Sequence, residues 1–397
     1  MPIDSASILV GRRVLITGVA GTVGGELARQ LLAEHDIAHL MGVDHHEHGV
    51  FLATRRLETD PRARVLLADV RDADRMAELT AGIDVVFHAA ALKHVLICER
   101  SPNEATATNV HGTQHVVDAA IAAGAQRVVC MSTDKAVAPS TVMGHSKRAA
   151  EQIVTVAASD PNIDTICACT RFGNVLGSSG SVIPIFKDQI ERGGPVTVTD
   201  ERMTRFVMSL ADAVRMVIDT ASLARGGEVF VTKMPVIRIT DLARVMIHEL
   251  APRFGHDPKS IDVQTVGAAP GEKIHEALLD AQEKAEADGA RLRTLLRRPA
   301  ADAASSRRRR IRRLSRPRQG GRQRPVRLGH TADAGRRATA GVPQRPRAAG
   351  LILPAEPFGR SAITRAPPPR GGATSPESTG PAAIRSPARA RGCSRSA

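Results

Sequence analysis

The chain contains no tryptophan and no tyrosine, and its aromatic content is eight phenylalanines. Without a phenol, acid–base chemistry falls to carboxylates, amines, imidazoles and thiols. Surfaces that stack nucleic-acid bases are equally scarce. No uninterrupted apolar run approaches the roughly 18 residues of a membrane helix, and no amino-terminal secretion segment is present. These absences predict a soluble, cytoplasmic protein. The five cysteines, Cys98, Cys130, Cys167, Cys169 and Cys393, have neither metal-ligand spacing nor a disulfide framework. They suit a reducing compartment, and no metal is expected. Cys167 and Cys169 are read as strand thiols pointing to opposite faces.

Charge is unevenly spread. Residues 281–397 hold 27 basic and 7 acidic side chains, whereas residues 1–280 hold 28 basic and 34 acidic, so the net +14 comes from the carboxyl-terminal segment alone. That segment is rich in Arg, Pro, Ala, Gly and Ser, has one lysine, Lys284, and one aromatic, Phe358. Its bias predicts disorder. The arginine run within Ser305–Arg313 attracts phosphate without specificity, which keeps a nucleic-acid-binding or scaffold role as an alternative. Its origin is either an evolved extension or out-of-frame coding. No internal repeat is present.

From Val14 to Val129 apolar runs alternate with helical patterns, which predicts an α/β, Rossmann-like, doubly wound parallel sheet with chemistry at the carboxyl ends of its strands. The strand Arg13–Thr17 leads into Gly18, Gly21 and Gly24 and then a helix. Gly18 serves the turn, Gly21 close approach of a pyrophosphate, and Gly24 helix–sheet packing. Asp44 ends the next apolar run, where a carboxylate binds ribose hydroxyls and disfavours a 2′-phosphate, pointing to NAD over NADP. Asp69 is placed near the adenine or as the cap of a turn. Asn109 is assigned to holding loop geometry.

The strand Gln126–Met131 feeds Ser132, Thr133, Asp134 and Lys135, which set a carboxylate and an amine side by side. Met143 stands four residues before Lys147, and methionine transfers no proton. Any reaction therefore rests on the Thr133–Asp134–Lys135 group.

Taken together, TGVAGTVG at 17–24, AAALKHV at 89–95, TNVHGT at 108–113, STDKAV at 132–137, MGHSKRAAE at 143–151, RFGNVLGSSGSVIP at 171–184, TRF at 204–206 and PGEK at 270–273 resemble one family. It is the UDP-N-acetylglucosamine 4,6-dehydratases of polysaccharide biosynthesis, within the extended short-chain dehydrogenases/reductases. The resemblance covers about residues 10–280. Met143 resembles the methionine-containing branch and argues against a tyrosine-dependent epimerase.

The resemblance implies NAD as cofactor, a UDP-amino sugar as substrate and a 4-keto-6-deoxy product. In that scheme Lys135 is the base for the C5 proton, Asp134 the acid for the departing C6 hydroxyl, and Thr133 a hydrogen-bonding group at O4. Lys147 orients nicotinamide and ribose. Lys93, His94, Asn174 and Arg205 fall on the substrate side, with a loop ion pair as the other role for Arg205. Leu96 stands where relatives carry proline, and the PGEK segment lacks a preceding arginine. The methionine branch implies retention at C5, giving a D-xylo product.

The expected organisation is a mainly NAD-binding region at 10–172, a mainly substrate-binding region at 173–280 with elements returning to the main sheet, and a basic tail at 281–397. A homo-oligomer, most simply a dimer, is implied, with no membrane or nucleic-acid partner required. A nucleotide-sugar 4-epimerase or reductase is the alternative enzyme.

Overall fold

A computed structural model describes residues 8–178, 180–286 and 292–295. The first half alternates strand and helix: β1 (Arg13–Thr17), α1 (Thr22–Glu34), β2 (His39–Asp44), α2 (Glu47–Leu57), β3 (Ala63–Leu67), α3 (Ala73–Thr80) and β4 (Val85–His88). After it come the short helices α4 (Val95–Arg100) and α5 (Pro102–Thr106), a π-helical turn at Ala107–His111, α6 (Gly112–Ala122), β5 (Arg127–Thr133), α7 (Val142–Ala157) and β6 (Ile166–Phe172). The second half holds β7 (Asn174–Val175), α8 (Val182–Glu191), β8 (Val196–Val198), β9 (Thr204–Met208), α9 (Leu210–Leu223), β10 (Val229–Thr232), β11 (Val236–Arg238), α10 (Ile239–Leu250), β12 (Val263–Thr265), α11 (Ala281–Glu286) and β13 (Leu292–Leu295).

Eight strands form one parallel sheet in the order β3-β2-β1-β4-β5-β6-β10-β13. The strand order reverses direction between β1 and β4, and at such a switch point the loops diverge and open a crevice. The central strands read as continuous apolar runs because helices cover both faces. Val14, Ile16, Leu27, Leu31, Phe87 and Phe230 pack in one layer, while Leu15, Val86, Val117 and Val128 pack in the other. Positions two apart on a strand share a face. Cys167 and Cys169 accordingly lie in the same core layer, beside Cys130, which corrects the opposite-face expectation.

A smaller unit is built from the sheets β11-β9-β7 and β12-β8 with α8 and α10. Its own core gathers Phe186, Ile190, Val196, Ile239 and Ile247. β10 then returns to the main sheet beside β6. Structure also continues past residue 280, into the segment assigned to the tail: α11 carries Glu283 onto buried Arg171, and β13 pairs with β10. The arginine run at 305–313 and Cys393 lie outside the described residues. Among the described residues, no helix is long and apolar enough to cross a membrane.

Candidate active site

The crevice at the β1/β4 switch point encloses about 200 Å³, and its lining includes Gly18, Gly21, Asp44, Asp69, Ala90 and Leu92. Gly18 has φ +74°, and a Cβ there would lie 2.6 Å from Ala90 N. Both the left-handed backbone and the contact with the β4 loop require glycine. At Gly24 a Cβ would meet Gly18 O at 2.2 Å, so helix and turn sit in direct backbone contact. Gly21 is the N-cap of α1, without a capping side chain, and the first turn holds no acid. Helix-terminal N–H groups in that state form an anion site.

At the end of β2, Asp44 accepts from Ala20 N at 3.1 Å and His46 N at 3.1 Å, with His45 Nδ1 at 3.5 Å. Its carboxylate is fixed at the rim where a ribose would lie. Asp69 also lines the crevice, but Arg71 engages it through both backbone N–H and guanidinium. This is the turn-capping arrangement, and it leaves Asp69 less available than Asp44. These residues fit a dinucleotide: glycines where backbone must approach, an uncapped helix start, and an acid at the strand end that lines the crevice.

Beneath the crevice lies a residue that sequence reasoning missed. His88 is fully buried, and its ring nitrogens meet Thr17 Oγ1 at 2.7 Å and Thr113 Oγ1 at 3.0 Å. Burial, with a smaller contribution from nearby Lys147, pushes its pKa down to about 3. A neutral imidazole therefore ties β1 and β4 to α6. Only the contact partners, distant in sequence, reveal it. Asn109, also buried, clamps Leu92 through both backbone groups and donates to Ser146 Oγ at 2.9 Å, the geometry-holding role expected of it.

β5 is the next strand beyond β4, and it delivers Thr133, Asp134 and Lys135 to the same edge of the sheet. Asp134 is completely buried, and Lys135 Nζ donates to its Oδ1 at 2.9 Å. Thr133 Oγ1 donates to the same oxygen at 3.0 Å, and Asn174 Oδ1 accepts from Lys135 at 3.3 Å. Three of the expected residues thus converge with a fourth from β7. On α7, Lys147 is buried and donates to Met131 O at 2.6 Å, which aligns it with β5. Met143 packs into a small apolar cluster with Cys98 and Ala105. The position that a phenol would occupy is filled by hydrocarbon and sulfur.

The PGEK segment turns out to brace this group. Lys273 Nζ donates to Val137 O at 2.7 Å, and Ser140 Oγ donates to Gly271 O at 2.7 Å. Both contacts hold the loop that follows Lys135, in which Ala138 sits at φ +41°. Such a backbone persists only when its surroundings hold it. Arg205 is buried and spends its guanidinium on Glu272 Oε1 at 3.2 Å, Thr204 O at 2.8 Å and Ile274 O at 3.2 Å. It forms the loop ion pair, and a diphosphate contact would require these bonds to be exchanged. His94 lies against the β7–α8 loop, since a Cβ on Gly180 would meet its Cε1 at 2.5 Å. Lys93 is its exposed neighbour.

A second missed residue is Glu276. Its side chain is 4% exposed, and its Oε1 lies 3.8 Å from Lys135 Nζ. Burial and the Asp134 charge raise its pKa against the nearby cations. Further back, Glu151 accepts from Ser132 Oγ at 2.6 Å and pairs with Arg171, which Glu283 also meets at 2.9 Å. This buried network anchors the end of β5.

Fold and site together define an extended short-chain dehydrogenase/reductase. The chain belongs to the polysaccharide biosynthesis protein family, whose model matches residues 14–294. That match runs past the 280 boundary expected from sequence. An uncharacterized membrane protein of Methanocaldococcus jannaschii is 42% identical over 70% of this chain and 84% of its own length. An inverting UDP-N-acetylglucosamine 4,6-dehydratase of Campylobacter jejuni is 36% identical over 68% of this chain and 78% of its own. A UDP-glucose 4-epimerase of Rickettsia canadensis is 37% identical over 71% and 81%. The chain spans 46% of the Staphylococcus aureus capsular protein CapD.

Among solved structures, Pen from Bacillus thuringiensis is 38% identical, covers 70% of this chain and 85% of its own, and has a TM-score of 0.67. The dTDP-glucose 4,6-dehydratase DesIV from Streptomyces venezuelae, solved with NAD bound, is 26% identical over 70% of this chain and 90% of its own, with a TM-score of 0.61.

Proposed function

We propose that this chain is an NAD-dependent nucleotide-sugar dehydratase that converts UDP-N-acetylglucosamine, or a close UDP-amino sugar, to a 4-keto-6-deoxy sugar for glycan synthesis. The observation that carries the reading is the buried Asp134–Lys135 contact at the end of β5, one strand beyond the dinucleotide crevice, with Met143 where a phenol would otherwise serve. Epimerisation needs acid–base help at O4 alone, whereas dehydration also needs a base at C5 and an acid at the C6 hydroxyl. A paired amine and carboxylate meet the second requirement.

Bound NAD supplies the hydride acceptor at C4 and the hydride donor at C6. The protein does the rest. A proton passed from Lys135 to Asp134 across 2.9 Å leaves a neutral amine and a carboxylic acid, the forms that C5 deprotonation and C6–O cleavage require. Thr133 holds O4. Lys147, aligned by Met131 O, orients the nicotinamide end, and Asp44 holds the ribose. Asp69 supports the adenine end through its turn. Lys93, His94 and Asn174 face the sugar nucleotide, with Arg205 reaching the diphosphate on exchange of its Glu272 pair.

A 4-epimerase is the second reading, favoured by the Rickettsia relative at 37% identity. Product mass separates the two after incubation of the full chain with NAD and UDP-N-acetylglucosamine. Loss of one water supports dehydration, and unchanged mass with inversion at C4 supports epimerisation. The retention at C5 implied by Met143 runs against the inverting label of the Campylobacter relative, and NMR of the first product distinguishes D-xylo from L-arabino. A cytoplasmic homo-oligomer, most simply a dimer, completes the proposal.

A further inference from the structure

The proposed chemistry assigns two of the three ionisable groups that crowd the end of β5. Glu276 is the third, and nothing in the reaction as written uses it. Its Oε2 is buried and has no hydrogen-bond partner, as is true of Asp134 Oδ2. The cations around it stand off: Lys135 Nζ at 3.8 Å and Lys273 Nζ at 4.0 Å. Each is committed elsewhere, Lys135 to Asp134 and Asn174, and Lys273 to Val137 O. Arg205, the third nearby cation, is committed to Glu272, Thr204 O and Ile274 O. The neighbouring His275 is paired with Thr204 Oγ1 at 2.8 Å. A carboxylate whose buried Oε2 no donor satisfies, and on which the Asp134 charge acts, is disfavoured as an anion.

We propose that Glu276 is a positioning residue that sits protonated beside Lys135, so that the Asp134–Lys135 pair exchanges its proton next to a neutral carboxyl group. This inference rests on the dehydratase reading. Two protons beyond the fully deprotonated set are shared among Lys135, Asp134 and Glu276. In the resting form they lie on Lys135, as ammonium, and on Glu276, with Asp134 ionised. Transfer of the Lys135 proton to Asp134 gives amine, acid and acid, all neutral. Were Glu276 ionised, both forms would carry a negative charge on a carboxylate whose buried Oε2 no donor satisfies. The raised pKa of Glu276, caused first by burial and opposed by Lys135, agrees in direction.

The sign follows. A group that works protonated supports the rate below its pKa, and the rate falls as pH rises through that value. Glu276→Gln cannot ionise, so the falling high-pH limb of kcat moves up by about one unit, while kcat at neutral pH drops by less than about tenfold. Glu276→Asp, with its lower intrinsic pKa, moves the limb down. An infrared difference spectrum of wild-type protein minus Glu276→Gln, with NAD bound and no substrate, reads the same group without turnover. It is expected to hold a protonated-carboxyl band at neutral pH that fades on alkalinisation. That band persists even if the substrate assignment fails, which separates the two claims. Absence of the band at neutral pH overturns the inference, as does a high-pH limb that neither substitution moves.

Discussion

At the level of single residues, Asp134 and Lys135 carry the proposal. Lys135→Met removes the base while leaving the crevice at β1 and β4 intact, so dehydration should fall by about 10²–10⁴-fold. Bound NAD, measured after gentle isolation, should stay near the wild-type level. Asp134→Asn should impair elimination, read as loss of keto-sugar formation, since the amide supplies no proton to the C6 hydroxyl. Met143→Tyr makes a different point. The side chain is 3% exposed among Cys98, Ala105 and Leu92, so a phenol placed there buries a hydroxyl. Thermal or denaturant unfolding should show a loss of about 1–3 kcal/mol, with no gain in turnover.

The glycine turn, Asp44 and the Asp134–Lys135 pair were legible in sequence because each depends on its own strand end. Glu276 and His88 were not, and for Arg205 a loop ion pair was legible but its partner Glu272 was not. Their partners lie 71 residues away for His88–Thr17 and 67 for Arg205–Glu272, and no local pattern marks a buried His or Glu as paired or orphaned.

At the level of elements, the parallel sheet followed directly from the alternation of apolar runs and helical periods, and the general right-handedness of parallel crossovers leaves few alternatives. The small unit was harder to read because β7, β8, β11 and β12 are only two or three residues long, too short for period-two alternation to register. α11 was missed for the opposite reason: its sequence sits at the start of a compositionally biased stretch, and its docking rests on Arg171 and Arg148, both distant in sequence. Arg171 is completely buried between Glu151 and Glu283, and the contacts with Arg171 and Arg148 hold the Glu283 pKa at about 2. A depressed carboxylate pKa stabilises the fold above its unfolded value and loses that contribution as pH falls through the folded value. Between about pH 4.5 and pH 2 the protein should therefore lose on the order of 3 kcal/mol from this group. Unfolding of Glu283→Gln across the same window should lack that part of the acid dependence. An unchanged acid limb would remove Glu283 from the account.

At the level of the whole molecule, the ordered boundary moves beyond residue 280. A chain ended at Asp280 loses both Glu283 and β13, and breaking a buried ion pair costs about 3–5 kcal/mol. Ending it just after Leu295 retains both. The longer form should match the full chain in thermal midpoint and NAD retention, and the shorter should melt lower. Equal midpoints would show that α11 and β13 contribute nothing. Light scattering of the active fraction over a concentration series checks the homo-oligomer, and a fully active monomer would refute it.

The central claim is that one cofactor-bound site moves hydride from C4 to C6 while Lys135 and Asp134 expel water. UDP-N-acetylglucosamine carrying deuterium at C4 tests it in a single incubation with the full chain and NAD, read by mass spectrometry and NMR. The account predicts a 4-keto product lighter by one water, with the deuterium at C6. A product of unchanged mass, inverted at C4 with the deuterium still on C4, would contradict it.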